Sequence, residues 1–278
     1  MKVYKTDQGI LVEEDNQVYV STHSHWDSFM NRDDLYQALR QEIAQLKPVG
    51  DADWLRSQKI LAPIGSQEVW AAGVTYLRSR NARMEESQES GGATFYDKVY
   101  DAERPEIFFK ATSLRTVGTN DYVRIRKDST WDVPEPELAL YISASGKIVG
   151  YTIGNDMSSR SIEGENPLYL PQAKTYDRSA GLGPCVYVSD RPLPPESRIR
   201  MKILRKGAQV FEGETPISQM KRQHTELMEF LFRECSFPQG VILMTGTCIV
   251  PDHPFTLQSG DEIRIEIDHI GTLINQVQ

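Results

Sequence analysis

The sequence predicts an α+β fold that is predominantly β, and two observations lead to this prediction. Short segments rich in β-branched and aromatic residues, separated by Gly, Asn, Asp and Pro, recur along most of the 278 residues. Two segments, residues 35–46 and 217–234, instead repeat their apolar residues at helical spacing. With 39% hydrophobic and 25% charged residues, the chain can bury a core of ordinary size.

Residues 1–60 are predicted to form a small N-terminal α+β domain, and residues 61–278 a larger domain. The N-terminal part contains three predicted strands and then the first predicted helix, which Pro48-Val49-Gly50 ends. The strands are predicted at residues 3–5, 9–13 and 17–22.

A buried strand is predicted at residues 69–76, and a polar segment containing Arg78 and Ser79 follows it. Because a guanidinium matches the two oxygens of a carboxylate, this junction is a candidate for binding a substrate carboxylate. The alternative is a charged helix face. Gly91-Gly92 then opens a segment, reaching Glu103, that has no clear period. This segment is either a mobile lid or an ordinary surface loop.

A β-hairpin with its turn at residues 143–146 is predicted to bring three carboxylates together. The neighbouring prolines keep the chain extended, so Glu135 and Glu137, two residues apart, should leave one face of the first strand. The return strand should place Asp156 opposite a position near Glu135. Three carboxylates then lie at the open end of the hairpin.

Three adjacent carboxylates repel one another unless they are protonated or a cation lies among them. Oxygen ligands with no His or Cys nearby favour a hard ion, Mg²⁺ first and then Mn²⁺ or Ca²⁺. The alternative is a solvated acidic edge at which proline blocks strand addition.

Lys174 and Glu106 are the candidates for acid–base chemistry. Lys174 ends an apolar segment. Near a divalent cation its ammonium form is disfavoured, and burial acts in the same direction, so Lys174 is a candidate general base. The alternative is a surface lysine. Glu106 begins a short apolar strand, and it is either a site residue or a strand end.

The C-terminal part of the chain is predicted to be mostly strand. Its helix, at residues 217–234, should bury Leu227, Phe230 and Leu231. Thr247 lies among small polar residues at a junction between a strand and a loop. Strands are predicted at residues 199–204, 209–212, 263–267 and 271–274.

Composition excludes several classes of function. A net charge of −8, from 39 acidic and 31 basic residues, argues against nucleic acid as a partner. Cys185, Cys235 and Cys248 are widely spaced without a CxxC motif, which fits reduced thiols in the cytoplasm better than disulfides or a zinc site. No apolar run approaches the length of a membrane span, and the chain opens directly as a strand. We therefore expect neither a membrane partner nor a secretion signal.

Several short motifs lie along residues 60–276. They are Ala72-Gly73-Val74-Thr75-Tyr76, Ile107-Phe108-Phe109-Lys110, Glu135-Pro136-Glu137, Gly154-Asn155-Asp156 with Ser158 and Arg160, Lys174, and Gly246-Thr247 before Pro251. In these motifs the sequence resembles the fumarylacetoacetate hydrolase superfamily. The resemblance implies a mixed β-roll of largely antiparallel sheets, a metal triad at Glu135, Glu137 and Asp156, Lys174 in the active site, and a homodimer or homotetramer.

The run from Ile162 to Lys174 looks like the branch of the family that contains 2-keto-3-deoxy-D-arabinonate dehydratase, which acts on sugar acids. Hydrolytic members commonly have a His three residues after the Tyr that corresponds to Tyr76, and Ser79 stands there in this sequence. Ser161 stands where many members have an acidic residue, which bears on the structure and specificity of that loop.

Together these features predict a metal-dependent dehydratase. It would convert a 2-keto-3-deoxy-pentonate, of the D-arabinonate or D-xylonate type, to 2-oxoglutarate semialdehyde through a metal-stabilised enolate. Lys174 would be the base, and Glu106 or a bound water the acid. The substrate-binding candidates are Arg78, Ser79, Gln172 and Thr247. An acylpyruvate hydrolase or oxaloacetate decarboxylase is the first alternative, and a non-catalytic sugar-acid binding protein is the second.

Overall fold

The computed structural model describes residues 1–86 and 93–278 and consists mainly of two β-sheets. The strands are β1 (Lys2–Thr6), β2 (Gly9–Glu14), β3 (Gln17–Val20), β4 (Gly50–Asp51), β5 (Glu68–Gly73), β6 (Glu106–Ala111), β7 (Thr116–Val117), β8 (Asp121–Val123), β9 (Asp132–Ile142), β10 (Ile148–Ser159), β11 (Ala180–Tyr187), β12 (Arg198–Arg205), β13 (Ala208–Pro216), β14 (Val241–Met244), β15 (Glu262–Ile267) and β16 (Gly271–Val277). The helices are α1 (Trp26–Met30), α2 (Leu35–Ile43), α3 (Ala52–Arg56), α4 (Leu77–Glu86), α5 (Ala93–Asp101), α6 (Arg160–Glu165), α7 (Leu170–Lys174) and α8 (His224–Phe232). Short 3₁₀ helices lie at Ser113–Arg115, Pro167–Tyr169 and Ile217–Gln219.

The larger sheet has the strand order β4-β3-β2-β1-β11-β10-β9-β14-β5-β6, and β7 pairs with β11. Most neighbours are antiparallel, whereas β14 runs parallel to β5 and β7 runs parallel to β11. The smaller sheet has the order β13-β12-β15-β16-β8. A predominantly β fold with mixed sheets was predicted from the sequence, and this architecture confirms it.

Strand β9 lies at the centre of the molecule and is buried along its whole length. Because successive side chains of a strand point to opposite faces, its residues divide between two cores. Leu138, Leu140 and Ile142 belong to a core shared with the smaller sheet, whereas Ala139 and Tyr141 belong to a core shared with the N-terminal strands and helices. The strand that carries two of the predicted metal ligands is therefore held from both sides.

Residues 1–60 join the rest of the chain through the larger sheet. Strand β1 pairs with β11, with Lys2 opposite Tyr187 and Val3 opposite Val186. The predicted boundary near residue 60 therefore crosses a continuous sheet and a shared core. Among the described residues, no helix is both long and apolar enough to span a bilayer.

Two segments fold differently from the sequence prediction. Residues 93–101, for which the sequence shows no clear hydrophobic periodicity, form α5. The guanidinium of Arg222 donates to the carbonyls of Val99 and Ala102 at the end of this helix. That support comes from a distant part of the chain, so local sequence did not reveal it. Gly91 and Gly92, the predicted hinge, lie outside the described residues.

The helix predicted at residues 217–234 is shorter in the structure. Gln223 and Glu226 form a capping box, which starts α8 at His224 after a separate 3₁₀ turn. Leu227 and Leu231 are buried as predicted, whereas Phe230 is only half-buried.

Candidate active site

The hairpin of β9 and β10 brings three carboxylates together at its open end. Asp156 lies opposite Glu135, and Gly154 lies opposite Glu137, which is the register that the sequence predicted. Ligand oxygens of Glu135, Glu137 and Asp156 all lie within 4.8 Å of one another, and all three residues are buried. Three carboxylates this close, out of water, need positive charge among them or a proton on one of them.

Glu137 is the member of the triad that most needs a cation. Burial, together with the charges of Asp156 and Glu135, raises its pKa well above the usual range. Glu137 forms no ion pair within the described part of the chain, although the backbone N–H of Gly246 donates to its Oε2 at 2.6 Å. A hard divalent cation bound by these oxygens would remove the repulsion, so the donor set fits Mg²⁺.

Gly246 is required for this contact with Glu137. Its φ of +98° lies in the region that favours glycine, and a Cβ there would lie 2.0 Å from Thr75 Oγ1. Only glycine lets the backbone amide approach the carboxylate at this point.

Two buried lysines neutralise the other carboxylates. Lys174 Nζ lies 2.8 Å from Glu135 Oε2 and 3.1 Å from Asp156 Oδ2, and it donates to Ser158 Oγ at 2.6 Å. Lys110 Nζ lies 2.6 Å from Asp156 Oδ1 and also donates to the backbone carbonyl of Lys174. Lys110, the last residue of the motif Ile107-Phe108-Phe109-Lys110, therefore contacts both a triad carboxylate and the backbone of the candidate base.

The protonation state of Lys174 differs from the sequence expectation. Burial by itself would lower its pKa, but the carboxylates of Asp156, Glu135 and Glu163 together outweigh burial and raise the pKa above the usual value. Lys174 is therefore an ammonium group when no cation is bound. Burial and a metal charge can be expected from the sequence, whereas the number of carboxylates around this side chain depends on how the chain packs.

Glu106 is a candidate acid that lies near the other charged residues of the site. Burial, with the negative charges of Glu163 and Glu135, raises its pKa, although the cations Arg83 and Lys174 oppose this. Its Oε2 is buried without a hydrogen-bond partner among the described residues. The raised pKa favours the protonated carboxyl group, which is the form that a general acid requires.

Three charged residues that the sequence analysis did not nominate complete the site. Glu163 lies on α6, where Arg160 is its neighbour, and Arg83 reaches it from α4 with NH1 3.1 Å from Glu163 Oε1. The guanidinium of Arg160 also contacts Glu135. The spacing of Ser79 and Arg83, four residues apart on a helix, could have indicated that they share a face.

A small cavity lies over these residues. Its volume is about 10 Å³, which is room for about one water molecule. Ser79 and Thr247 line it together with the metal triad, Lys174, Arg83 and Arg160. None of the chain's five histidines, which all fall in the described part, lines this cavity.

Two predicted substrate-binding residues lie elsewhere. Arg78 is on the other side of α4, where it forms an ion pair with Asp252 in a separate cavity lined also by Trp131 and His253. Gln172 is exposed on α7, and the guanidinium of Arg126 donates to its backbone carbonyl at 3.1 Å. The structure therefore brings Ser79 and Thr247 to the triad but not Arg78 or Gln172.

Comparison with known proteins identifies the family. The model of the fumarylacetoacetate (FAA) hydrolase C-terminal domain matches residues 69–278. The chain belongs to the fumarylacetoacetate hydrolase family. The family and the fold predicted from the sequence are thus confirmed.

Two curated relatives of the chain are named as dehydratases of 2-keto-3-deoxy sugar acids. A probable 2-keto-3-deoxyxylonate dehydratase of Haloferax volcanii is 51% identical over 216 residues, 77% of this chain and 73% of that protein. A 2-dehydro-3-deoxy-D-arabinonate dehydratase of Saccharolobus solfataricus is 46% identical over 222 residues, 79% of this chain and 74% of that protein. A solved structure of 2-keto-3-deoxy-D-arabinonate dehydratase with magnesium and 2,5-dioxopentanoate has a TM-score of 0.82, at 36% identity over 100% of this chain and 99% of that one.

The two departures from the common family pattern have clear places in the structure. Ser79, at the position of the hydrolytic His, donates its hydroxyl to the carbonyl of Tyr76 at 2.8 Å within the first turn of α4. Ser161 accepts from the backbone N–H of Thr130 at 3.2 Å and lies 3.0 Å from Ser129 Oγ. Ser79 thus lines the cavity at the start of α4, whereas Ser161 contacts the segment that contains Ser129 and Thr130.

Proposed function

We propose that the chain catalyses Mg²⁺-dependent dehydration of a 2-keto-3-deoxy-pentonate to 2,5-dioxopentanoate, which is 2-oxoglutarate semialdehyde. The observation that carries this proposal is a buried carboxylate triad that Lys174 contacts, beside a cavity that no histidine lines, with Glu106 nearby. The two dehydratase relatives and the magnesium-bound structural neighbour agree with the reaction and the cofactor.

Glu135, Glu137 and Asp156 would hold the ion through carboxylate oxygens. Bound there, Mg²⁺ supplies positive charge that stabilises the enolate oxygen at C2 as the C3 proton leaves. In this proposal Lys174 accepts that proton, because its Nζ lies among the triad carboxylates. Lys174 becomes able to do so once positive charge offsets the carboxylates that now raise its pKa.

Glu106 then donates its proton to the departing C4 hydroxyl, which leaves as water. The product of this elimination is an unsaturated 5-hydroxy acid. Transfer of a proton from C5 to C3 gives the enol of the aldehyde, and that enol relaxes to 2,5-dioxopentanoate. Dehydration therefore consumes no redox partner and releases one water.

The polar ends of the substrate need partners around the triad, where the cavity of about 10 Å³ must widen to admit a five-carbon acid. Ser79 and Thr247 are proposed for this role, and Arg83 is proposed as the guanidinium that meets the substrate in place of Arg78. Arg83 is 4% exposed, so it would offer its charge out of bulk water, where an ion pair with a carboxylate is stronger.

The test is turnover on a panel of 2-keto-3-deoxy-pentonates with and without Mg²⁺. Acetylpyruvate and oxaloacetate belong in the same panel, because cleavage of either would favour the hydrolase or decarboxylase alternative. Binding of a pentonate with no turnover of any panel member would favour a non-catalytic binding protein. The proposal requires turnover that EDTA abolishes and Mg²⁺ restores.

We also propose a homodimer or homotetramer in the cytoplasm. The exposed side chains of Leu114 and Leu168 offer apolar contact surface, and the three free cysteines fit a reducing compartment. Light scattering should give a mass of two or four chains, whereas a mass near 31.6 kDa would contradict the oligomer.

A further inference from the structure

Glu163 is a buried carboxylate outside the metal triad, and three cations surround it. Its Oε1 lies 3.1 Å from Arg83 NH1 and 3.4 Å from Lys174 Nζ, and its Oε2 lies 3.6 Å from Arg160 Nε. All four side chains are at most 4% exposed. A carboxylate this deeply buried among cations is a fixed feature of the site and not a solvated surface group.

Two guanidinium groups from different elements lie beside Glu163. Arg160 belongs to α6, as Glu163 does, and Arg83 belongs to α4. Each carboxylate oxygen of Glu163 lies at ion-pair distance from one guanidinium nitrogen, so two helices place positive charge against this carboxylate.

The partners of Lys174 fall into two groups. Glu135 and Asp156 belong to the triad, and a cation bound there would compete with Lys174 for their oxygens. Ser158 and Glu163 do not belong to the triad, so they stay available to Lys174 Nζ, at 2.6 and 3.4 Å. The other end of the residue is also held, because Lys110 donates to its backbone carbonyl.

We propose that Glu163 is a positioning residue, which fixes the amine of Lys174 for proton transfer at C3 of the substrate. This inference rests on the proposed function, since it needs Lys174 to be the base. A displacement of the base by about 1 Å can slow a reaction on the order of 100-fold. Loss of the Glu163 contact should therefore slow proton transfer with little change in KM.

The experiment separates proton transfer from elimination. 2-Oxopentanoate has C3 hydrogens but no C4 hydroxyl, so in D₂O with Mg²⁺ the enzyme can exchange its C3 hydrogens but cannot dehydrate it. NMR measures this exchange for the wild type, Glu163→Gln, Glu163→Asp and Glu165→Gln. Glu165 is an exposed residue of α6 and serves as the matched control.

The inference predicts that Glu163→Gln slows both exchange and dehydration by about 10- to 100-fold. Glu163→Asp should give an intermediate rate, because Asp keeps the negative charge but has a shorter side chain. Glu165→Gln should match the wild type. Mg²⁺ affinity by calorimetry and the Tm of the metal-free protein report separately whether the variants keep the site and the fold.

Exchange at the wild-type rate in Glu163→Gln would overturn the inference while leaving wild-type dehydration, and so the proposed function, intact. A loss of Mg²⁺ affinity that matches the loss of exchange would also overturn it, because Glu163 would then serve metal retention. If Glu163→Gln does not fold, Glu163→Asp decides, and exchange at the wild-type rate in that variant counts against positioning. If the wild type exchanges no C3 hydrogen, Lys174 carries out no proton transfer for which Glu163 could position it. That result also overturns the inference.

Discussion

Asp156 lies directly opposite Glu135 in the antiparallel pair of β9 and β10, and the two carboxylates share the ammonium group of Lys174, at 3.1 and 2.8 Å. Lys174 Nζ therefore contacts two of the three carboxylates that would bind a cation. The arrangement couples metal binding to the charge on the proposed base, because both depend on the same oxygens.

Replacing Glu106 with Gln should separate the two proton transfers of the reaction. Gln has nearly the same shape but cannot give up a proton, so dehydration should fall by about 100-fold or more, which is the usual contribution of a general acid. Exchange of C3 hydrogens in 2-oxopentanoate should stay close to the wild-type rate. Equal loss of both activities in the NMR assay would show that Glu106 does not act on the leaving group.

Gly73→Ala should damage the enzyme through Glu106. A Cβ at position 73 would lie 1.8 Å from Glu106 Oε2, so the carboxyl group must move away from its place beside the cavity. We expect kcat for dehydration to fall at least 10-fold, since the proton donor is displaced. Calorimetry should give an unchanged Mg²⁺ affinity, because Glu106 is not in the triad. Wild-type kcat in this variant would contradict the placement of Glu106.

Glu137→Gln should weaken Mg²⁺ binding without destabilising the metal-free protein. The raised pKa of Glu137 means that burial already favours its neutral form, and Gln is neutral at every pH. Calorimetry should show at least a 10-fold loss of Mg²⁺ affinity, and the Mg²⁺-dependent rise in Tm should shrink accordingly. The exposed Glu234→Gln is the control. Full Mg²⁺ affinity in Glu137→Gln would remove this residue from the metal site.

The sequence predicted the metal hairpin because strand geometry is local. Residues two apart on an extended strand point to the same face. The position of the tight turn determines which residue of the second strand lies opposite Glu135. Arg83 and Glu163 could not be paired in this way. They come from α4 and α6, and only the packing of those helices brings a guanidinium to the carboxylate.

The same limit explains why the sequence nominates Arg78, whereas Arg83 is the arginine of α4 that lines the cavity. Both lie in one polar segment, and sequence alone does not say which side of α4 faces the cavity. The charge state of Lys174 likewise depends on a count of nearby carboxylates, which requires the folded arrangement.

Acid should weaken the fold in part through His224. Burial lowers its pKa from 6.5 to about 4, so between these values the unfolded chain binds a proton that the folded chain does not. The stability linked to this residue is therefore complete above pH 6.5 and is lost as pH falls toward 4.

By pH 4.5 the loss should be about 2 to 3 kcal/mol. Urea unfolding at pH 7 and pH 4.5 measures it, and His224→Gln should show a smaller difference between the two than the wild type. His25→Gln, at an exposed position, should behave as the wild type does. An identical pH difference in His224→Gln and the wild type would contradict the assignment.

Product identification by ¹³C NMR, after incubation with 2-keto-3-deoxy-pentonates in D₂O, distinguishes dehydration from every alternative reaction. We expect 2,5-dioxopentanoate carrying deuterium at C3, formed only when Mg²⁺ is present. Formation of pyruvate and glycolaldehyde instead, by cleavage between C3 and C4, would contradict this expectation, because the triad, Lys174 and Glu106 would then serve carbon–carbon bond cleavage and not dehydration.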